Sequence, residues 1–183
     1  MIINGVSDKY DARLHRLKKD GVLYIQVDTT GLTAHNDVIT RLTILDEGYV
    51  VYDQVFKCDA GKLTRKAAEV SGITRDDLRE ATVTFADALP NLKEQLMGRL
   101  LCCCNKDFML SFLEAEGLSL NRDDIIDLRA IVGQMNHTYS RTTMEDVLRK
   151  LTPPDMDDTM PATTWERNFK MYECACTLRD MIP

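Results

Sequence analysis

An apolar stretch of the chain ends with two polar residues, Gln26 and Asp28, whose side chains could take part in binding or catalysis. Residues 22–25 and Val27 are apolar, aromatic or β-branched, and the turn-forming Thr29-Thr30-Gly31 comes directly afterwards. This pattern predicts a buried strand that ends in a turn. Residues two apart on a strand share a face, so both side chains should point to one side at the strand's carboxyl end, where ligands gather in α/β sheets. Alternatively, Asp28 only accepts hydrogen bonds from the turn.

The flanking segments predict the elements that hold this strand. Two strand-like runs, 38–45 and 49–56, are joined through Asp46-Glu47-Gly48, which predicts a hairpin and hence an antiparallel meander of three strands. Short apolar runs at 99–104 and 124–128 predict two further strands. Elsewhere the apolar period is that of helices, at residues 63–70, 84–97, 105–116, 129–135, 144–151 and 165–181. We therefore expect an α/β fold, a mixed five-stranded sheet with helices on both faces.

Length and charge limit the class of protein. With 183 residues, we expect a helical N-terminal extension, 1–20, and one main domain, 21–183. No apolar run is long enough to span a membrane and the first residues lack the pattern of a signal peptide, so we expect a cytoplasmic protein without membrane association. The net charge of −6 argues against broad attraction to nucleic acid but allows a local binding cleft.

Two segments carry a resemblance to a known family. Residues 26–32 read Gln-Val-Asp-Thr-Thr-Gly-Leu, and residues 71–81 begin Ser-Gly-Ile-Thr. They resemble the Asp-x-Glu-Thr-Thr-Gly-Leu and His-Gly-Ile-Thr elements of the DEDD 3′–5′ exonucleases of the DEDDh type. This family of the ribonuclease-H-like superfamily includes the proofreading subunit of bacterial DNA polymerase. The resemblance extends over about residues 20–182, and in the first motif it places Gln26 at the Asp and Asp28 at the Glu.

The other two catalytic motifs of the family are also matched with substitutions. Residues 104–113, Cys-Asn-Lys-Asp-Phe-Met-Leu-Ser-Phe-Leu, resemble its second motif, with Met109 at the catalytic Asp. Residues 168–177 resemble the third motif, His-x-Ala-x-x-Asp-Ala-x-x-Thr, with Asn168 at the general-base His and Glu173 at the Asp. A second register places Asn168 at the Asp and Thr163 at the His.

The resemblance implies two divalent metal ions held by four carboxylates, with a histidine that activates water. Asp28 and Glu173 are then the residual catalytic and metal-binding residues, and Gln26, Met109 and Asn168 occupy degenerate catalytic positions. Two carboxylates balance at most one divalent ion, so we expect one Mg²⁺ or Mn²⁺ at most, and no tightly bound cofactor. The same resemblance implies a nucleic-acid-binding surface made of Thr29, Thr30, Gly31, Leu32, Asn105 and Phe108.

The substitutions are concentrated at catalytic positions, whereas the scaffold matches are retained. We therefore expect an exonuclease-fold protein that has lost most or all hydrolytic activity and binds single-stranded nucleic acid or a replication or repair protein. One alternative is an active metal-dependent 3′–5′ exonuclease acting on single-stranded DNA or RNA, with Asp107, Asp127 or Glu166 supplying a further acid. The other is a protein-interaction or regulatory module. The sequence leaves the oligomeric state open.

Overall fold

The computed structural model describes residues 14–18, 21–138, 141–152 and 164–182, with side chains from residue 166 onward in the last range. Within these ranges the chain forms a sheet of order β3-β2-β1-β4-β5, in which β1, β2 and β3 are antiparallel and β1, β4 and β5 are parallel. The strands are β1 (Val22–Thr29), β2 (Ile39–Asp46), β3 (Tyr49–Val55), β4 (Leu100–Cys103) and β5 (Ile125–Asp127). The predicted mixed sheet and its opening meander are confirmed.

Strand β1 is the central strand of this sheet. Every residue of β1 except Gln26 is buried. Because successive side chains of a strand point to opposite faces, burial of both sets means that both faces are covered. The strand therefore carries the sequence-predicted site from the middle of the fold, with its carboxyl end at Asp28 and Thr29.

The helices begin at residues that satisfy their first backbone N–H groups. Thr84 and Thr143 each form a reciprocal capping box with an aspartate three residues later. The helix Arg65–Ser71 ends at Gly72, which adopts the left-handed conformation typical of a helix terminus. The helices are α1 (Arg65–Ser71), α2 (Arg75–Glu80), α3 (Phe85–Leu96), α4 (Lys106–Ala115), α5 (Leu128–Met135), α6 (Met144–Leu151) and α7 (Thr164–Asp180).

The described part of the predicted N-terminal extension, residues 14–18, is helical. Its Leu14 and Leu17 are buried in the same hydrophobic core as β1. Arg16 pairs with Asp124, with 2.7 Å between Nη1 and Oδ1. This segment therefore packs against the same core as the sheet. Among the helices that the structure describes, none is long and apolar enough to cross a membrane.

Candidate active site

A cleft of about 970 Å³ opens at the carboxyl end of β1. Its walls come from β1 and the loop that follows, from α1 and from the residues that begin α4. Helices α6 and α7 also reach this cleft, α6 through Met144 and Glu145 and α7 through Arg167. Helix α7 reaches this position because it packs across β1 and β2. Tyr172 of α7 meets Tyr24 edge to face at 5.0 Å between ring centroids, which fixes the helix on the sheet.

Asp28 is the acidic residue of β1 in this cleft, and its side chain is only 6% exposed. Its Oδ1 accepts a hydrogen bond from Nη2 of Arg167 at 2.6 Å, and the arginine side chain is 7% exposed. Burial raises the pKa of Asp28 to about 6, although the positive charges of Arg167 and Arg41 oppose this increase. The carboxylate is therefore balanced by a protein cation within the structure.

Gln26 lies two residues before Asp28 and lines the same cleft. It is half-buried, and its Nε2 is 3.4 Å from the carbonyl oxygen of Val27. An amide carries no charge, so Gln26 adds an acceptor oxygen and an N–H donor to the cleft but contributes nothing to charge balance.

The Thr29-Thr30-Gly31 turn is closed by Asp37. The Oδ1 of Asp37 accepts a hydrogen bond from the Thr30 hydroxyl at 3.1 Å, and its Oδ2 accepts one from the Thr33 N–H at 3.0 Å. Although partial burial acts to raise the pKa of Asp37, the hydrogen bonds from Thr33 and Thr30 dominate and lower it. Leu32 projects from this turn with 76% of its surface exposed. The turn thus holds Gly31 and Leu32 at the rim of the cleft.

At the start of α4, Asn105 and Phe108 line the cleft but Met109 does not. Asn105 has a positive φ of 86° and caps the helix, its Oδ1 accepting the Phe108 N–H at 3.4 Å. Met109 is 3% exposed and belongs to the hydrophobic core. Met109, which the resemblance places at the catalytic Asp of the second motif, is therefore a packing residue.

The two third-motif candidates lie outside the cleft lining. Asn168 is fully buried, and its Nδ2 donates to the carbonyl oxygens of Tyr24 at 3.0 Å and Thr43 at 3.1 Å. Glu173 is six residues beyond Arg167, roughly 9 Å along a helix axis. Its Oε2 lies 3.5 Å from Nζ of Lys170. Structurally, Asn168 fastens α7 to the sheet, and Glu173 is separated from Asp28.

The other residues considered from the sequence have different positions. Asp107 is exposed and pairs with Arg122, and Glu166 is also exposed. Asp127 caps α5, and its carboxylate also accepts the backbone N–H groups of Asn105 and Lys106 at the start of α4. Thr163, from the second register of the third motif, lies outside the described residues.

The sequence did not single out Arg167, which donates a hydrogen bond to Asp28. The only signal was its position next to Asn168 in the third-motif segment. Arg129 was also missed. It lines the cleft, and its Nε donates to the carbonyl oxygen of Thr142 at 2.8 Å. Neither arginine stands at a catalytic position of the motifs, so the motifs gave no reason to predict a role for either residue.

The cleft residues do not fit a two-metal centre. Asp28 already binds the Arg167 guanidinium, Gln26 is neutral, and Met109 lies outside the lining. Over the residues whose placement is described, no cluster of three or more histidine, cysteine or acidic side chains could hold a metal ion. A centre with two divalent ions needs several converging carboxylates, whereas the other acidic residues of the lining, Asp37, Glu69 and Glu145, form no such cluster with Asp28.

Comparisons with known proteins identify the fold. No protein-family model and no curated protein matches the sequence. Among solved structures, the nuclease domain of 3′hExo, a DEDDh family member bound to rAMP, matches with a TM-score of 0.63 and 19% identity, over 88% of this chain and 92% of that chain. Exonuclease X in complex with 5′ overhanging duplex DNA matches with a TM-score of 0.55 and 16% identity, over 87% and 90%.

E. coli Exonuclease I in complex with a dA16 oligonucleotide matches with a TM-score of 0.62 and 14% identity, over 88% of this chain and 42% of that chain. The chain therefore has the ribonuclease-H-like fold of the DEDDh 3′-exonucleases. The resemblance inferred from residues 26–32, 71–81, 104–113 and 168–177 is confirmed at the level of the fold.

Proposed function

We propose that this protein binds single-stranded nucleic acid in the cleft at the end of β1 and hydrolyses it little or not at all. One observation carries this proposal. Of the four positions at which the family has carboxylates, only the position of Asp28 places a carboxylate in the cleft, and that carboxylate is paired with Arg167. The fold supports the binding part of the proposal because the similar solved structures include complexes with DNA.

The lining of the cleft suits a nucleic-acid strand. Lys66 and Arg129 supply positive charge for phosphates, although Asp37, Glu69 and Glu145 add negative charge to the same lining. Leu32 and Phe108 supply apolar surface on which bases could pack, Leu32 from the rim and Phe108 from the first turn of α4. The cleft thus combines charge for the backbone with apolar surface for bases.

The residues that the resemblance places at the catalytic positions are poorly suited to hydrolysis. Asn168 carries an amide, which cannot accept a proton from water near neutral pH, and its side chain is turned to backbone carbonyl groups. The three histidines, His15, His35 and His137, are exposed and do not line the cleft. Neither a metal-bound hydroxide nor a positioned base is therefore provided by these residues.

The binding part is tested by fluorescence anisotropy with a labelled single-stranded oligonucleotide at low salt. The variant Lys66→Glu/Arg129→Glu replaces these two positive charges by negative ones. It should weaken binding at least tenfold, because each removed phosphate contact is replaced by repulsion. Lys93→Glu is the matched control, since Lys93 is an exposed lysine on α3 outside the cleft. It should change affinity by less than about twofold. Absence of binding by the unmodified protein, or an equal loss in both variants, contradicts the proposal.

The hydrolytic part is tested on the same oligonucleotide with millimolar Mg²⁺ or Mn²⁺. We expect the strand to keep its length with the unmodified protein and with Asp28→Ala. Stepwise shortening from the 3′ end that requires metal and disappears in Asp28→Ala would instead establish an active exonuclease.

A further inference from the structure

The Asp28–Arg167 pair joins three walls of the cleft. Asp28 is at the end of β1, Arg167 is on α7, and the second guanidinium nitrogen of Arg167, Nη1, donates to the carbonyl oxygen of Val70 in α1. Carboxylate and carbonyl oxygens are the ligands that Mg²⁺ and Mn²⁺ select in proteins. Here one guanidinium binds an oxygen of each kind. It therefore engages the groups that an ion at this position would use.

We propose that Arg167 is an internal cation that takes the place of a divalent metal ion at Asp28. A buried carboxylate must be balanced by a positive charge or by hydrogen bonds, and the guanidinium supplies both in a fixed planar arrangement. A metal ion close enough to bind Asp28 would lie against this guanidinium, and the two positive charges would repel each other. Occupation by Arg167 and occupation by a metal ion are then mutually exclusive.

Displacement of Arg167 toward solvent is the competing possibility, and the surroundings oppose it. Its side chain is 7% exposed, and leaving would break both the Asp28 and the Val70 interactions. Arg41 stands on the neighbouring strand opposite Asp28 and is itself held by Asp53, with contacts of 2.7 and 2.6 Å. Its positive charge is close enough to offset part of the increase that burial causes in the pKa of Asp28. A second fixed cation therefore also opposes metal binding.

The test compares Mn²⁺ binding with and without Arg167 in a background that favours metal. Gln26→Asp adds a second carboxylate on the face of β1 that Asp28 uses. We expect the unmodified protein and Gln26→Asp to bind Mn²⁺ only in the millimolar range, as measured by electron paramagnetic resonance titration of free Mn²⁺. Gln26→Asp/Arg167→Met should bind at least tenfold more tightly. Adding Asp28→Asn should remove this gain.

Two further variants separate the proposal from general effects. Gln26→Asp/Arg79→Met removes an exposed arginine that is paired with Asp76 at 2.6 Å, and neither residue lines the cleft. It should show no gain in Mn²⁺ affinity, and a gain equal to that of the Arg167 variant would overturn the proposal. Gln26→Asp/Arg167→Lys retains a cation and should exclude Mn²⁺. Circular dichroism checks that each variant is folded; if the methionine variant is not, Gln26→Asp/Arg167→Gln, which is also neutral but polar, takes its place and should show the same gain.

Tight Mn²⁺ binding by the unmodified protein that is lost in Asp28→Asn would also overturn the proposal. So would a folded Gln26→Asp/Arg167→Met that binds no more tightly than Gln26→Asp. Since this inference rests on the proposed function of the same cleft, the measurement contains no nucleic acid. A protein that fails to bind oligonucleotides but gains Mn²⁺ affinity on loss of Arg167 would refute the function alone.

Discussion

Gly31 sits against the carboxylate of Asp37, the residue that closes the turn after β1. A Cβ built on Gly31 would lie 2.5 Å from Oδ1 of Asp37, which is closer than real contacts allow. The requirement for glycine is therefore steric. From the sequence, Thr29-Thr30-Gly31 predicts a turn, but nothing in it indicates that a carboxylate six residues later will pack on the glycine. Long-range contacts of this kind depend on the folded path of the loop.

Gly31→Ala should destabilise the protein by about 1 to 3 kcal/mol, because either the turn or Asp37 must move and the Thr30 and Thr33 hydrogen bonds weaken. Urea unfolding measures the change. In the Asp37→Ala background the same substitution should have a smaller effect, since the clash is gone. Equal effects in both backgrounds would show that Asp37 is not the cause.

Asp28 gives the stability a defined dependence on pH. Its pKa is raised to about 6 in the folded protein, from 3.8 when unperturbed. Between these values the folded state binds a proton that the unfolded state does not, so this residue favours folding increasingly as the pH falls from 6 to 4. The contribution is at most about 3 kcal/mol, from roughly two pKa units.

Comparison with Asp28→Asn isolates this contribution, because the other carboxylates titrate alike in both proteins. The free energy of unfolding of the unmodified protein minus that of Asp28→Asn should be larger at pH 4 than at pH 7, as measured by urea unfolding. A difference that decreases on acidification would mean that Arg167 outweighs burial and that the folded-state pKa is lowered.

At the scale of elements, the attachment of α7 to the sheet depends on Asn168. Its amide N–H groups meet two backbone carbonyl oxygens, those of Tyr24 and Thr43, in a fully buried position. A carboxylate at this position would place oxygen against oxygen. Restoring an acid here, as the second register of the third motif would suggest, is therefore incompatible with the packing.

We expect Asn168→Asp to destabilise the protein by about 3 kcal/mol or more, since two carbonyl groups lose their donors and a carboxylate is buried. Asn91→Asp is the matched control, because Oδ1 of Asn91 on α3 is exposed and already accepts a hydrogen bond from Gln95. It should change stability by less than about 0.5 kcal/mol. Thermal or urea unfolding of both variants makes the comparison, and similar losses would exclude the proposed cause.

The sequence predicted the elements well because their signals are local. The strand pattern of residues 38–45 and 49–56 and the Asp46-Glu47-Gly48 turn each act within a few residues. The face that α7 turns toward the sheet is instead determined by contacts with distant parts of the chain. Apolar and polar residues are spread around this helix, so the pattern could not show that Arg167, rather than Glu173, faces Asp28.

At the scale of the whole molecule, the net charge of −6 opposes the approach of nucleic acid, so binding must depend on the local charge of the cleft. Arg167 does not add to that local charge, because it is neutralised by Asp28. Lys66 and Arg129 are therefore the cations that the lining offers to phosphates. This small number limits how strongly salt can affect binding.

Two phosphate contacts on a single strand predict a slope of about −1.4 in a plot of log affinity against log salt concentration, from about −0.7 per contact. Lys66→Gln and Arg129→Gln should each reduce the slope by about half, whereas Lys93→Gln should leave it unchanged because that side chain lies outside the cleft. Anisotropy titrations between about 20 and 200 mM salt measure this slope for the unmodified protein and for the three variants. A slope much steeper than −1.4, or one that Lys93→Gln reduces equally, would place the strand on another surface of the molecule.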